Sequence, residues 1–247
     1  MGLKKPLLFA LLCCVLSGYG CGTADYHVIK EPYRMHPEFY KRALRIKTPG
    51  LIAPDVKICE LTAGGVREIR DDWSAAGKQN VAGALAECLD EQACTVKTCV
   101  VGKEMEEELE DIHALYRAVS RSIQIHTYGP YPFPEKRKNF IYSVGSIENL
   151  LHRLEADALI FVYGYDEIST VGRKALTVLG VAIGAVTGVM VVPGSGITAV
   201  SVGLVDPSGA ILWYNLKAGA GAYDLRKPES AKALLKDILS DLPRLGT

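Results

Sequence analysis

The segment Ala158-Leu159-Ile160-Phe161-Val162-Tyr163 constrains this chain more than any other, because it is apolar at almost every position. A strand covered on one face alternates apolar with polar side chains, whereas one without polar positions is covered on both. The run therefore predicts a central strand with helices packed on each side of its sheet. Two later segments, Thr198 to Val205 and Ala210 to Tyr214, are joined by Asp206-Pro207-Ser208-Gly209. Proline at the second turn position and glycine at the fourth form a type I turn signature, so these segments read as a hairpin.

Helical patterns alternate with these strands. Val56-Lys57-Ile58-Cys59-Glu60-Leu61 alternates as a strand and ends at Gly64-Gly65. A helix follows, with Asp71 or Asp72 expected at its cap and Trp73, Ala76, Val81, Ala84, Leu85 and Cys88 on its apolar face. After a short strand, Thr95 to Val101, the residues Met105, Leu109, Ile112, Leu115, Val119 and Ile123 mark a second helix. Its acidic run, Glu104 to Asp111, lies in the first turns, where the helix dipole favours negative charge. These carboxylates read as a solvated face, with metal binding as the alternative. Pro130, Pro132 and Pro134 then describe a stiff connector, whose aromatic neighbours offer a partner contact as the alternative use. A short helix, Ile147 to Leu154, precedes the central strand, and Ala231, Leu234, Leu235, Ile238 and Leu242 mark a terminal one. The fold class that results is α/β: one layered domain with a mixed sheet, parallel strands plus a C-terminal antiparallel hairpin, flanked by helices.

Residues 1–20 read as an export signal: Lys4 and Lys5, an apolar stretch from Leu7 to Leu16, then small residues before Cys21. The apolar stretch is about 15 Å long as a helix, against a hydrocarbon core of about 30 Å, too short for a permanent anchor. Gly18-Tyr19-Gly20-Cys21 resembles the bacterial lipobox in the small residue before cysteine and departs from it at Gly18 and Tyr19. The resemblance implies cleavage before Cys21 and acylation of its sulfur, with several acyl chains holding the protein to a membrane. Gly22 in the next position implies the outer membrane, facing the periplasm. The plainer alternative is a secretory signal, with Cys21 the first thiol of a soluble protein. Residues 21–50, interrupted by Pro32, Pro37 and Pro49, are expected to be a lipidated tether with one short helix near Pro37 to Leu44, leaving 51–247 as the domain.

The element order, with Ala156-Asp157-Ala158-Leu159-Ile160-Phe161-Val162 followed later by Val202-Gly203-Leu204-Val205-Asp206-Pro207-Ser208-Gly209-Ala210-Ile211-Leu212-Trp213, resembles the periplasmic α/β domain shared by the TolB N-terminal domain, CsgG and PelC. The resemblance covers roughly residues 52–242 and rests on structural motifs. It implies an oligomerising lipoprotein that serves as an accessory or scaffold in envelope export or assembly.

The chain departs from that pattern in an apolar insertion, 173–196. Residues 175–192 carry no charge, and Gly180, Gly184 and Gly188 recur at every fourth position, as in a glycine zipper. Such spacing puts the glycines on one helical face and lets a second helix approach closely. The run reaches about 27 Å as a helix, just enough to span a bilayer. Burial against its own domain or a second subunit and insertion into a membrane both remain open, and self-association is the natural use of the surface either way.

Chemistry-bearing patterns are sparse. Lys+Arg and Asp+Glu both number 28, which argues against nucleic acid as a partner. In an oxidising compartment, disulfides among Cys88, Cys94 and Cys99 compete with buried free thiols, and Cys59 lies within an apolar strand. There is no haem or zinc spacing, no phosphate-cradling loop and no nucleophile elbow, since Pro193-Gly194-Ser195-Gly196-Ile197 reads as the turn before a strand. His113 and His126 are isolated. No cofactor, metal or enzymatic activity is expected. The rival reading is a periplasmic ligand-binding module or enzyme that uses a cleft near Tyr163, Tyr165 and Asp166.

Overall fold

A computed structural model describes residues 33–92, 94–129, 132–175 and 196–245. Residues 1–20, expected to be an export signal, and Cys21, Gly180, Gly184 and Gly188 lie outside the described residues. The elements, in chain order, are β1 (Arg34–Met35), α1 (Phe39–Ala43), β2 (Pro49–Leu51), β3 (Asp55–Leu61), β4 (Arg67–Ile69), α2 (Asp71–Glu91), β5 (Lys97–Thr98), α3 (Glu106–Ile123), α4 (Pro134–Lys138), α5 (Glu148–Leu154), β6 (Ala158–Ser169), β7 (Ile197–Val205), β8 (Ile211–Ala220) and α6 (Pro228–Leu239). They build the mixed α/β domain expected from the sequence. Among the described residues no helix is long and apolar enough to cross a membrane.

The apolar run is the axis of the sheet. β6 is antiparallel to β7, and β7 to β8, while on the other flank β6 has two parallel neighbours in succession: β2 along Ala158–Ile160 and β3 along Tyr163–Ser169. The edges are β1 beside β8, β5 beside β2, and β4 antiparallel to β3. Alternation along β6 sends Ala158, Ile160 and Val162 to one core and Leu159, Phe161 and Tyr163 to the other. The first core is closed by α1, α2 and α6, with Val81, Leu85, Leu89, Leu234, Leu235 and Ile238 fully or almost fully buried. The second is closed by α3 and α5, through Ile112, Tyr116, Ile123, Leu150 and Leu151.

The β7–β8 hairpin forms where its turn chemistry places it. The Gly209 N–H donates to the Asp206 carbonyl at 2.8 Å, and the Asp206 carboxylate accepts the N–H groups of Ser208 and Ala210. Gly209 has φ +79, which L side chains rarely adopt, and a Cβ there would lie 1.7 Å from the Gly145 carbonyl oxygen. The insertion falls between two adjacent strands: β6 leaves the sheet at Ser169, β7 re-enters at Ile197, and Asp166 and Thr198 are still paired beside the gap.

Several expectations need correction. Residues 34–50, expected within the tether, pack with the domain: β1 pairs with β8, β2 with β6, and Phe39 and Ile46 are buried. The prolines hid these pieces by shortening them. The helix α2 begins after Arg70 with no side-chain cap, and Asp71 and Asp72 occupy its first turn instead. The connector after Gly129 contains the short helix α4, with Pro134 in its first turn. The apolar face of α3 is turned from the expected one: Leu115 is half exposed, and Tyr116 and Ser120 are buried in its place. Cys59, Cys88, Cys94 and Cys99 are free thiols in this structure, the alternative that competed with disulfides among the last three. Cys88 and Cys94 belong to the first core and Cys99 to the second, with the sheet between them. Burial pushes the thiols of Cys88, Cys94 and Cys99 up from the ordinary range, which leaves them weakly nucleophilic.

Candidate functional site

Helix α3 covers only the first half of the twelve-residue strand β6, and past its covered half the second face of the sheet opens into a cleft. The floor follows from the strand register. One row across the sheet reads Asp55, Tyr163, Ser201 and Leu216; the next reads Lys57, Tyr165, Ala199 and Ala218. The alanines and the serine beside two tyrosines leave a trough. Arg117 and Arg121 on α3, with Gln124 in the π-helical turn Gln124–Tyr128 that continues it, stand at spacings of four and three and present one face above it. The resulting cleft has a volume of about 490 Å³ and is lined by Lys57, Arg117, Arg121, Gln124, Tyr163, Tyr165 and Ala199.

The helix is held at this height by polar contacts. The Ser120 hydroxyl lies 3.2 Å from that of Ser201 and 2.8 Å from that of Tyr214, and the Gln124 amide donates to the Tyr214 oxygen at 3.3 Å. One turn earlier, Tyr116 stacks on Phe161 with ring centroids 4.8 Å apart. A Cβ on Gly203 would lie 2.5 Å from the Tyr116 hydroxyl oxygen, so the helix approaches the sheet this closely because residue 203 has no side chain.

The charges are partly spent. Arg117 donates to the Asp55 carboxylate at 2.5 Å. At the far end of the floor, Glu167 is buried, paired with Arg67, and accepts the Tyr165 hydroxyl at 2.9 Å. Burial, and then the neighbouring Cys59 and Glu167, push the Tyr165 phenol well above its usual range, so it remains a donor. Among the described residues, no carboxylate is paired with Lys57 or Arg121.

The sequence grouped Tyr163, Tyr165 and Asp166 around one cleft, and the structure divides them. Tyr163 and Tyr165 share the open face, while Asp166 points through the sheet to the other side, because successive residues of a strand alternate. There it is fully buried and accepts the Thr198 hydroxyl at 2.6 Å and the Leu225 N–H at 2.9 Å, tying the segment before α6 to the sheet. Burial raises its pKa above the ordinary carboxylate value. Asp166 is therefore a structural brace rather than a cleft residue. The cleft's cations were missed, since three of its lining side chains come from a helix distant in sequence; the i, i+4 pair Arg117 and Arg121 was the available signal.

His113 lies elsewhere on α3, edge-on to Phe161 with centroids 5.7 Å apart, beside a second depression that includes Asp55, Cys99 and Arg117. Burial lowers its pKa, the Asp55 charge opposes that, and Arg117 and Lys78 add to it. His126 stacks on Phe133 at 4.6 Å. Among the described residues no three His, Cys, Asp or Glu side chains are grouped to hold a metal ion.

No family model and no curated protein matches the chain. Among solved structures the chain is similar to a dodecamer of a PelC variant from Paraburkholderia phytofirmans, at 14% identity over 80% of this chain and 89% of that one, with a TM-score of 0.32. The resemblance to the TolB, CsgG and PelC group therefore stands on the element order and the hairpin motif of the sequence itself.

Proposed function

We propose that the protein is a non-catalytic envelope lipoprotein, anchored through acyl chains on Cys21, that self-associates to scaffold an export or assembly complex at the periplasmic face of the outer membrane. The observation that carries this reading is the placement of the glycine-repeat segment. A two-residue turn suffices to join adjacent antiparallel strands, yet between β6 and β7 the chain inserts a charge-free stretch with glycines at 180, 184 and 188. Closing the sheet does not call for an apolar segment of that length. Its composition suits packing against a like segment of another subunit, and the leader before Cys21 supports a location outside the cytoplasm.

The test is light scattering after size-exclusion chromatography of the full chain in detergent, beside Gly184→Leu. Discrete oligomers for the parent and a smaller species for the variant are expected. A monomeric parent would overturn the reading. Mass spectrometry of the N-terminal peptide, compared with Cys21→Ser, checks the anchor: an unacylated Cys21 removes that part of the proposal.

A further inference from the structure

The cleft over the second half of β6 has a feature that a scaffold does not require: two cations line it above a tyrosine floor, and among the described residues neither has an acidic partner. Lys57 rises from β3 at one side, directly across from Tyr165, and Arg121 overhangs from α3. The other charges nearby neutralise one another, Arg117 with Asp55 and Arg67 with Glu167. Two like charges lining one cleft repel each other, and an anion between them relieves that repulsion. We infer that this cleft binds a small organic oxyanion, a carboxylate or a phosphate group, held by Arg121 and Lys57, with the body of the molecule against Tyr163 and Tyr165.

The chemistry of each part is suited to this ligand. A guanidinium presents paired N–H donors in the plane of a carboxylate or phosphate, and an ammonium adds a point charge. The Tyr165 hydroxyl is committed to Glu167, so its ring is fixed in place before a ligand arrives. Gln124 is likewise held by Ser120 and Tyr214. Preorganised walls reduce the ordering cost of binding. A volume of about 490 Å³ accommodates a molecule of monosaccharide size and falls within the usual range of ligand pockets. The inference is independent of the oligomeric state proposed above.

The test is calorimetric titration of the full chain in detergent with inorganic phosphate and with glucuronate, using galactosamine as a cationic control of similar size. Saturable binding of at least one anion, with none of galactosamine, is expected. Saturation by phosphate alone or by glucuronate alone supports the inference and names the oxyanion. Arg121→Ala should weaken binding about tenfold and Lys57→Ala several-fold, as loss of charge-assisted hydrogen bonds does. The exposed Lys138→Ala, on α4 and away from the cleft, should bind as the parent does. Both cleft variants alter side chains at the surface, and an unchanged thermal midpoint will show that they fold. Absence of binding by both anions overturns the inference, and so does Arg121→Ala binding with the affinity of the parent.

Discussion

The two faces of the sheet are built differently. The first is closed along its length by α1, α2 and α6, and its core is largely aliphatic around Trp213. The second is closed by α3 and α5 over the first half of β6 only, and its seal is aromatic and polar: Tyr116 on Phe161, then Ser120 against Ser201 and Tyr214. Hydrophobic burial scales with the apolar area removed from water, so the first face contributes more to stability. The second gives up coverage, and what it leaves uncovered is a charged cleft. One sheet thus separates a largely aliphatic core from a face whose cover stops partway along β6.

Trp213 gives the strongest test of that division. It is completely buried, packs within the first core beside Tyr33 at 6.4 Å between centroids, and sits in the hairpin next to the β1 pairing. Trp213→Ala should cost about 3–5 kcal/mol, the range for truncating a buried aromatic side chain. Urea denaturation monitored by circular dichroism measures it. A loss below 1 kcal/mol would mean that the first face does not dominate.

Gly203 sharpens the comparison on the second face. A methyl group there meets the Tyr116 hydroxyl oxygen at 2.5 Å and its ring at 3.0–3.2 Å, and Tyr116 is stacked on Phe161 and has little room to give. Gly203→Ala should therefore destabilise by about 1–3 kcal/mol, as overpacking does, and it should disturb the helix that roofs the cleft. Binding of the anion at the cleft should weaken with it, whereas Trp213→Phe, on the other face, should leave binding unchanged. Equal effects of the two would erase the distinction between the faces.

How far the sequence exposes this division varies by element. The apolar run of β6 and the turn Asp206 to Gly209 were legible because each is decided by local chemistry: the absence of polar positions in the first, proline and glycine in the second. The strand β4 was not, because its three residues, Arg67, Glu68 and Ile69, are all exposed and leave no hydrophobic pattern. The phase of α3 was misjudged because Ser120 is buried for its hydrogen bonds, a reason that hydrophobic periodicity does not register, and Leu115 is left outside in consequence. The opposite facing of Asp166 and Tyr165 follows from strand alternation alone. The cleft does not, since it depends on where α3 stops relative to β6, a tertiary fact.

The smallest expected effect concerns pH and again separates the faces. His113 lies under the incomplete seal of the second face, edge-on to Phe161, and burial lowers its pKa below the ordinary 6.5. The folded protein therefore favours the neutral imidazole more than the unfolded chain does. Its contribution to stability is complete above the unfolded value and is lost as pH falls through that value toward the lower folded one. Asp55 opposes the shift while Arg117 and Lys78 reinforce it. His113→Gln, which cannot take up the proton, should flatten the loss of stability between about pH 7.5 and 5 relative to the parent. The urea midpoint at the two pH values measures this. A variant as acid-sensitive as its parent would place the sensitive group elsewhere and leave the second face, cleft included, indifferent to protonation at His113.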